Sequence, residues 1–161
     1  MNSIENIYLS PILKDLIKLS YSKIDESSSN FSCWLKDFKL IHGELNTQKT
    51  KSLEPIEKAY SIKIKHKSDF FKLIYALESS YVTLVKFIAY KSVKNDTNSP
   101  FDINSIVNCS DFFERGINNF KVKNYFNWLV DDRELLINLK SLLKVILFEY
   151  ELNLEIDSIK L

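Results

Sequence analysis

A chain of 161 residues, 45% hydrophobic and 13% aromatic, has the apolar material for one domain with a sizeable core. A net charge of +1 excludes a strong global attraction to nucleic acid or membrane, and only Arg115 and Arg133 are arginines, so base-specific guanine reading is not expected. Two glycines and three prolines favour helices over a many-stranded sheet.

Met1 to Tyr8 is polar and mixed, with no signal-peptide pattern. Lysines interrupt every apolar run before about 18 residues, so the expectation is a cytoplasmic chain with no membrane partner. Cys33 and Cys109 stand far apart without neighbouring ligands and read as reduced thiols.

The first helix starts at Ser10-Pro11, with Pro at the first helical position. Ile12, Leu13, Leu16, Ile17 and Leu19 form its face, and it ends near Ile24. Residues 25–30 read as a loop and possible hinge. Asn30 is the expected cap of a second helix with Phe31, Trp34, Leu35, Phe38 and Ile41 on one side, stopped by Gly43. Trp34 reads as a core aromatic, with a binding role as the alternative.

Pro55 opens a short helix through Tyr60. Lys63, Lys65, His66 and Lys67 then form a basic patch, readable as phosphate contacts or as a solvated loop. His42 and His66 lack partners at ligand spacing, so no metal is expected, and no cofactor.

The longest helical pattern follows over Ser68 to Val93, about 35 Å at 1.5 Å per residue. Phe70, Ile74, Leu77, Tyr81, Leu84 and Ile88 recur at steps of three and four, and Phe71, Tyr75, Val85 and Phe87 widen the stripe. Ser68 and Asp69 are its expected cap and early negative charge; Lys86, Lys91 and Lys94 suit the other end of the dipole. A stripe this broad needs several covering helices.

Residues 94–100 read as a loop. Ile103, Ile106 and Val107 suit a turn or two of helix, and Asp111 with Glu114 suits a short capped turn closed by Gly116. Asp131 with Glu134 marks the start of a last helix, whose stripe runs from Leu135 to Tyr150. Leu152, Leu154 and Ile156 alternate with polar residues, so 151–161 reads as an extended tail or docking segment. The expectation is one all-α domain, an irregular bundle of five to six helices around the long one.

Ser110 to Leu129 reads SDFFERGINNFKVKNYFNWL. Gly116 turns the chain, Ile117 and Phe120 pin it, and Tyr125, Phe126 and Trp128 form an aromatic cluster. The order of residues resembles the helical region just upstream of the catalytic domain in large N6-adenine DNA methyltransferases of restriction–modification and phage-defence systems. Many of those carry a phrase of the kind F-x-x-x-G-I-x-N-F-x-x-x-D-F-F-S-W-Y-L. Phe113, Gly116, Ile117, Asn119, Phe120, Phe126, Trp128 and Leu129 fall in register with it. A family phrase like Tyr-Gly-Ile followed by a long helix is matched by Tyr60, Ser61 and Ile62, then Leu73, Tyr75, Ala76, Leu77, Tyr81, Leu84, Lys86 and Ala89.

The chain departs from the family at Asn127, where the phrase has Ser, and at Ser61, where it has Gly. It also lacks a glycine-rich S-adenosylmethionine loop and an Asn-Pro-Pro-Tyr motif for a flipped adenine. The resemblance therefore implies a non-catalytic helical scaffold whose partner is a methyltransferase catalytic domain or subunit. It could also touch DNA, with Lys121 and Lys123, and Lys63 and Lys65, as candidate backbone or partner contacts. From another class, the chain reads as a free-standing interaction module that binds through its tail or self-associates.

Overall fold

The computed structural model describes residues 2–3, 10–43, 53–93, 101–114, 116–117 and 124–151. Among them run seven α-helices: α1 Pro11–Lys23, α2 Ser29–His42, α3 Glu54–Tyr60, α4 Lys67–Val93, α5 Ile103–Val107, α6 Ser110–Glu114 and α7 Arg133–Glu149. A 3₁₀ helix, Asn124–Val130, leads into α7, and a parallel pair of two-residue strands joins β1, Asn2–Ser3, to β2, Tyr150–Glu151. The fold is all-α, and single-turn pieces bring the number of helices above five or six. Of the tail expected over 151–161, all but Glu151 lies outside the described residues.

Local chemistry sets most boundaries. Pro11 opens α1 behind Ser10, whose carbonyl accepts from the Lys14 amide at 3.2 Å. Asp25 folds the next turn by accepting from the Ser27 amide and hydroxyl at 2.9 and 2.7 Å. The cap of α2 is Ser28, not Asn30: its Oγ accepts from the Phe31 amide at 3.3 Å, so Asn30 is already helical.

Helix α4 is capped from within rather than by Ser68. Asp69 in its first turn reaches back to the Lys65 and His66 amides at 2.9 and 3.0 Å, the reciprocal half of a capping box. Asp132, one residue beyond Asp131, caps α7 by accepting from the Glu134 and Leu135 amides at 2.9 and 3.0 Å. Gly116, at φ +78, closes α6 in a Schellman pattern: its amide donates to Phe113 O, and that of Ile117 to Phe112 O.

By length and composition α4 could cross a membrane, but here it is the core helix, packed by α1, α5, α7 and the 3₁₀ segment. Its buried face is not centred on the expected stripe: of Phe70, Ile74, Leu77, Tyr81, Leu84 and Ile88 only Leu84 is buried, and the others are half-buried. Ser79, Ser80, Thr83 and Lys86 are buried with Phe71, Leu73, Tyr75, Ala76, Leu84, Phe87 and Tyr90, while Val85 is exposed. Small hydroxyl side chains let neighbouring elements approach closely, so the helix buries a broad face that mixes apolar and polar residues.

Two apolar clusters result. The larger joins α1, α4, α5, α6 and α7 through residues such as Leu16, Phe87, Ile106, Phe112 and Leu139. The smaller joins α2, the first half of α4 and the 3₁₀ segment through Phe31, Trp34, Phe71, Tyr75 and Phe126. Burying a large apolar side chain stabilises by roughly 1.5–3 kcal/mol, so both clusters matter.

Candidate functional site

The smaller cluster is aromatic and open on one side. Tyr75 is its hub: its ring lies 5.3 Å from that of Phe31, 5.0 Å from Trp34 and 5.9 Å from Phe126, and stacks on Trp128 at 5.7 Å and 14°. The Tyr75 hydroxyl donates to the Tyr125 carbonyl, and burial pushes its phenol well above the ordinary value. Trp128 donates its Nε1–H to Ser79 Oγ at 3.1 Å, which gives that buried serine a partner.

Beside this hub a groove of about 310 Å³ opens between α2 and the 3₁₀ segment. Trp34, Asp37, Phe38, Ile41, His42, Glu78, Tyr125 and Phe126 line it. Trp34 is almost fully buried and forms the floor, with the Phe38 ring 5.0 Å from it. The Trp34 indole donates to Glu78 Oε2 at 2.7 Å, and the Tyr125 hydroxyl donates to Asp37 Oδ2. Each carboxylate is thus oriented by one aromatic donor. Leu40 and Ile41 stand exposed on the last turns of α2, at 83% and 75%.

A second cleft of about 330 Å³ lies across the Tyr75–Trp128 stack, lined by Lys23, Asp25, Asp131 and Asp132 among others. Three of its charged residues are engaged locally. Lys23 pairs with Asp132 at 3.5 Å and Glu134 at 2.9 Å, while Asp25 and Asp132 hold turn and cap amides.

The sequence-derived candidates separate in space. Lys63 and Lys65 are exposed between α3 and α4, and the Lys65 amide serves the α4 cap. Gly116 and Ile117 form the α6 terminus, and Phe126 and Trp128 belong to the aromatic cluster. Lys121, Lys123, Asn119 and Phe120 lie outside the described residues. Lys86, expected to serve the helix dipole, is instead buried, with Nζ on the Val107 carbonyl. Ile41, expected on the packed face of α2, is exposed at the groove.

Sequence reading missed Asp37 and Glu78. A signal for Asp37 existed: Trp34, Asp37, Phe38 and Ile41 fall at i, i+3, i+4 and i+7, so a carboxylate interrupts an aromatic helical face. Among the described residues no group of three or more His, Cys, Asp or Glu is arranged to hold a metal ion. No family model matches the chain, and no curated protein or solved structure is detectably similar to it.

Proposed function

We propose that this chain is a non-catalytic helical scaffold that works by binding, as an accessory part of an N6-adenine DNA methyltransferase or phage-defence system. The observation that supports it is the meeting of the two stretches that carry the resemblance. Tyr75 on the long helix stacks on Trp128 and donates to Tyr125 in the aromatic segment. A further support is Ser61, which adopts φ +54 at the position where the family phrase has glycine. Both glycines of the chain have positive φ, Gly43 after α2 and Gly116 after α6, so both serve helix ends rather than a cofactor loop.

The test is reconstitution with the adenine methyltransferase catalytic chain of the same system, read by light scattering and by adenine methylation. A stoichiometric complex that raises methylation supports the reading. Methylation by this chain alone, or no complex at micromolar concentration, overturns it. A low-salt gel shift decides the DNA half: loss of retardation in a Lys63→Glu/Lys65→Glu variant supports backbone contact, and no retardation of the unmodified chain removes it.

A second reading, a free-standing interaction module, is favoured by Ile41, which stands exposed at an aromatic groove, and by its exposed chain neighbour Leu40. Association of the chain with a protein that is no methyltransferase, lost on Ile41→Glu, would support it over the first.

A further inference from the structure

We propose that the groove between α2 and the 3₁₀ segment receives a cationic side chain, a lysine or arginine from a basic and partly apolar segment of a partner protein. The inference rests on the reading of this chain as a binding module and names the chemistry of what it binds.

Charge complementarity carries the argument. Asp37 and Glu78 both line the groove, and each is fixed in orientation by an aromatic donor, Tyr125 and Trp34 respectively. Among the described residues Glu78 has that indole N–H as its hydrogen-bond partner, so acceptor capacity remains on the carboxylate. The walls are aromatic: Phe38, whose ring lies 4.5 Å from that of His42, and Phe126 give apolar surface to the alkyl stem of a lysine or arginine whose head reaches Glu78.

The same pairing recurs inside the chain. Lys39 and Lys67 lie 5.7 and 5.9 Å from the centre of the Phe71 ring, and Lys72 lies 5.2 Å from that of Tyr21. A phosphate in the groove would meet the Glu78 carboxylate, so the groove itself suits a cation better than a nucleic-acid backbone. Exposed Ile41 at the groove gives apolar neighbours of the inserted cation a surface to cover.

The probe is a blocked five-residue peptide with one arginine flanked by leucines, titrated into the full chain by calorimetry. The expected result is saturable binding that weakens with added salt and drops about five- to tenfold for Glu78→Gln. Gln keeps an acceptor for the Trp34 indole, and circular dichroism checks the fold. Should that variant unfold, Phe38→Leu with the same peptide decides the matter, again with weakened binding expected. Equal binding of a peptide with norleucine or glutamate in place of arginine, or undiminished binding to the folded variant, overturns the proposal.

The two levels fail separately. A methyltransferase complex that forms while no basic peptide binds removes the groove's assignment alone. Peptide binding without such a complex keeps the groove and removes the methyltransferase association.

Discussion

Lys86, buried in the middle of the long helix, donates its ammonium to the Val107 carbonyl at 2.5 Å, at the end of α5. Val107 is the last residue of that helix, so the lysine supplies a donor to an end carbonyl that the short helix cannot satisfy itself. Burial pushes the Lys86 pKa down, and the Cys109 thiol beside it partly offsets the effect. The folded state therefore binds this proton less tightly than the unfolded chain. Between the lowered value and the ordinary 10.5, the unfolded state holds more protons, so this group's contribution to stability rises with pH. Urea unfolding of the wild type and Lys86→Met from pH 7 to 10 should show the difference moving in favour of the wild type as pH rises. A difference independent of pH would refute the buried charge. Lys86→Ala should cost about 2–3 kcal/mol, because it opens a cavity and leaves the carbonyl with only the weak Cys109 thiol donor.

That contact also marks where sequence reading stopped. The starts at Pro11 and Pro55, the stop at Gly116 and the length of α4 were legible because each depends on residues a few positions apart. The register of α4 was not. Ser79, Ser80, Thr83 and Lys86 count as polar in any periodicity, yet the surrounding helices bury them all. The groove was illegible for a related reason. Trp34 meets Glu78 across 44 residues and Tyr125 meets Asp37 across 88, and no local spacing encodes such pairs. Trp34 as a core aromatic was readable, and it is almost fully buried; its place on the floor of an open groove needed the 3₁₀ segment.

Ser20 on α1 and Ser80 on α4 are both fully buried, and neither Oγ has a hydrogen-bond partner among the described residues. Each hydroxyl was desolvated without return, which costs on the order of 1 kcal/mol or more. Alanine removes the hydroxyl and leaves almost no cavity. Ser80→Ala should therefore stabilise the fold by about 1 kcal/mol, and Ser20→Ala should do the same. Thr83, whose Oγ1 donates to Ser79 O at 2.9 Å, is the control: Thr83→Ala should destabilise. If all three variants lose stability, the two serines have partners in solution.

Asp69 is one of four aspartates, with Asp25, Asp102 and Asp132, whose lowered pKa values contribute to the acid side of the stability curve. Its carboxylate accepts from the Lys65 and His66 amides, and these bonds pull its pKa below the ordinary value. As pH falls, the unfolded chain takes up this proton first, so the stabilisation is present above about pH 4 and lost below it. Asp69→Ala should cost about 1 kcal/mol at pH 7, the worth of a helix cap, and the difference from wild type should shrink below pH 4. Circular dichroism with urea at pH 7, 5 and 3 reads both. A loss equal at all three values would mean that the charge plays no part in the cap.

Ser61 ends α3 in the left-handed conformation, φ +54 and ψ +36, with its amide on the Glu57 carbonyl. An L residue pays roughly 1–2 kcal/mol for this backbone, and glycine pays none. Glycine loses part of that gain to its freer unfolded chain, about 0.5–1 kcal/mol. Ser61 is exposed, so no packing is forfeited. Ser61→Gly should then stabilise by about 0.5 kcal/mol, and β-branched Ser61→Val should destabilise by about 1 kcal/mol. Cys109 gives the contrast. It too is left-handed, at φ +66, but its thiol is buried against Lys86, so Cys109→Gly should lose stability. Opposite signs at two positions with the same backbone would separate strain from packing. A Ser61→Val variant as stable as the wild type would mean that α3 does not end in this turn.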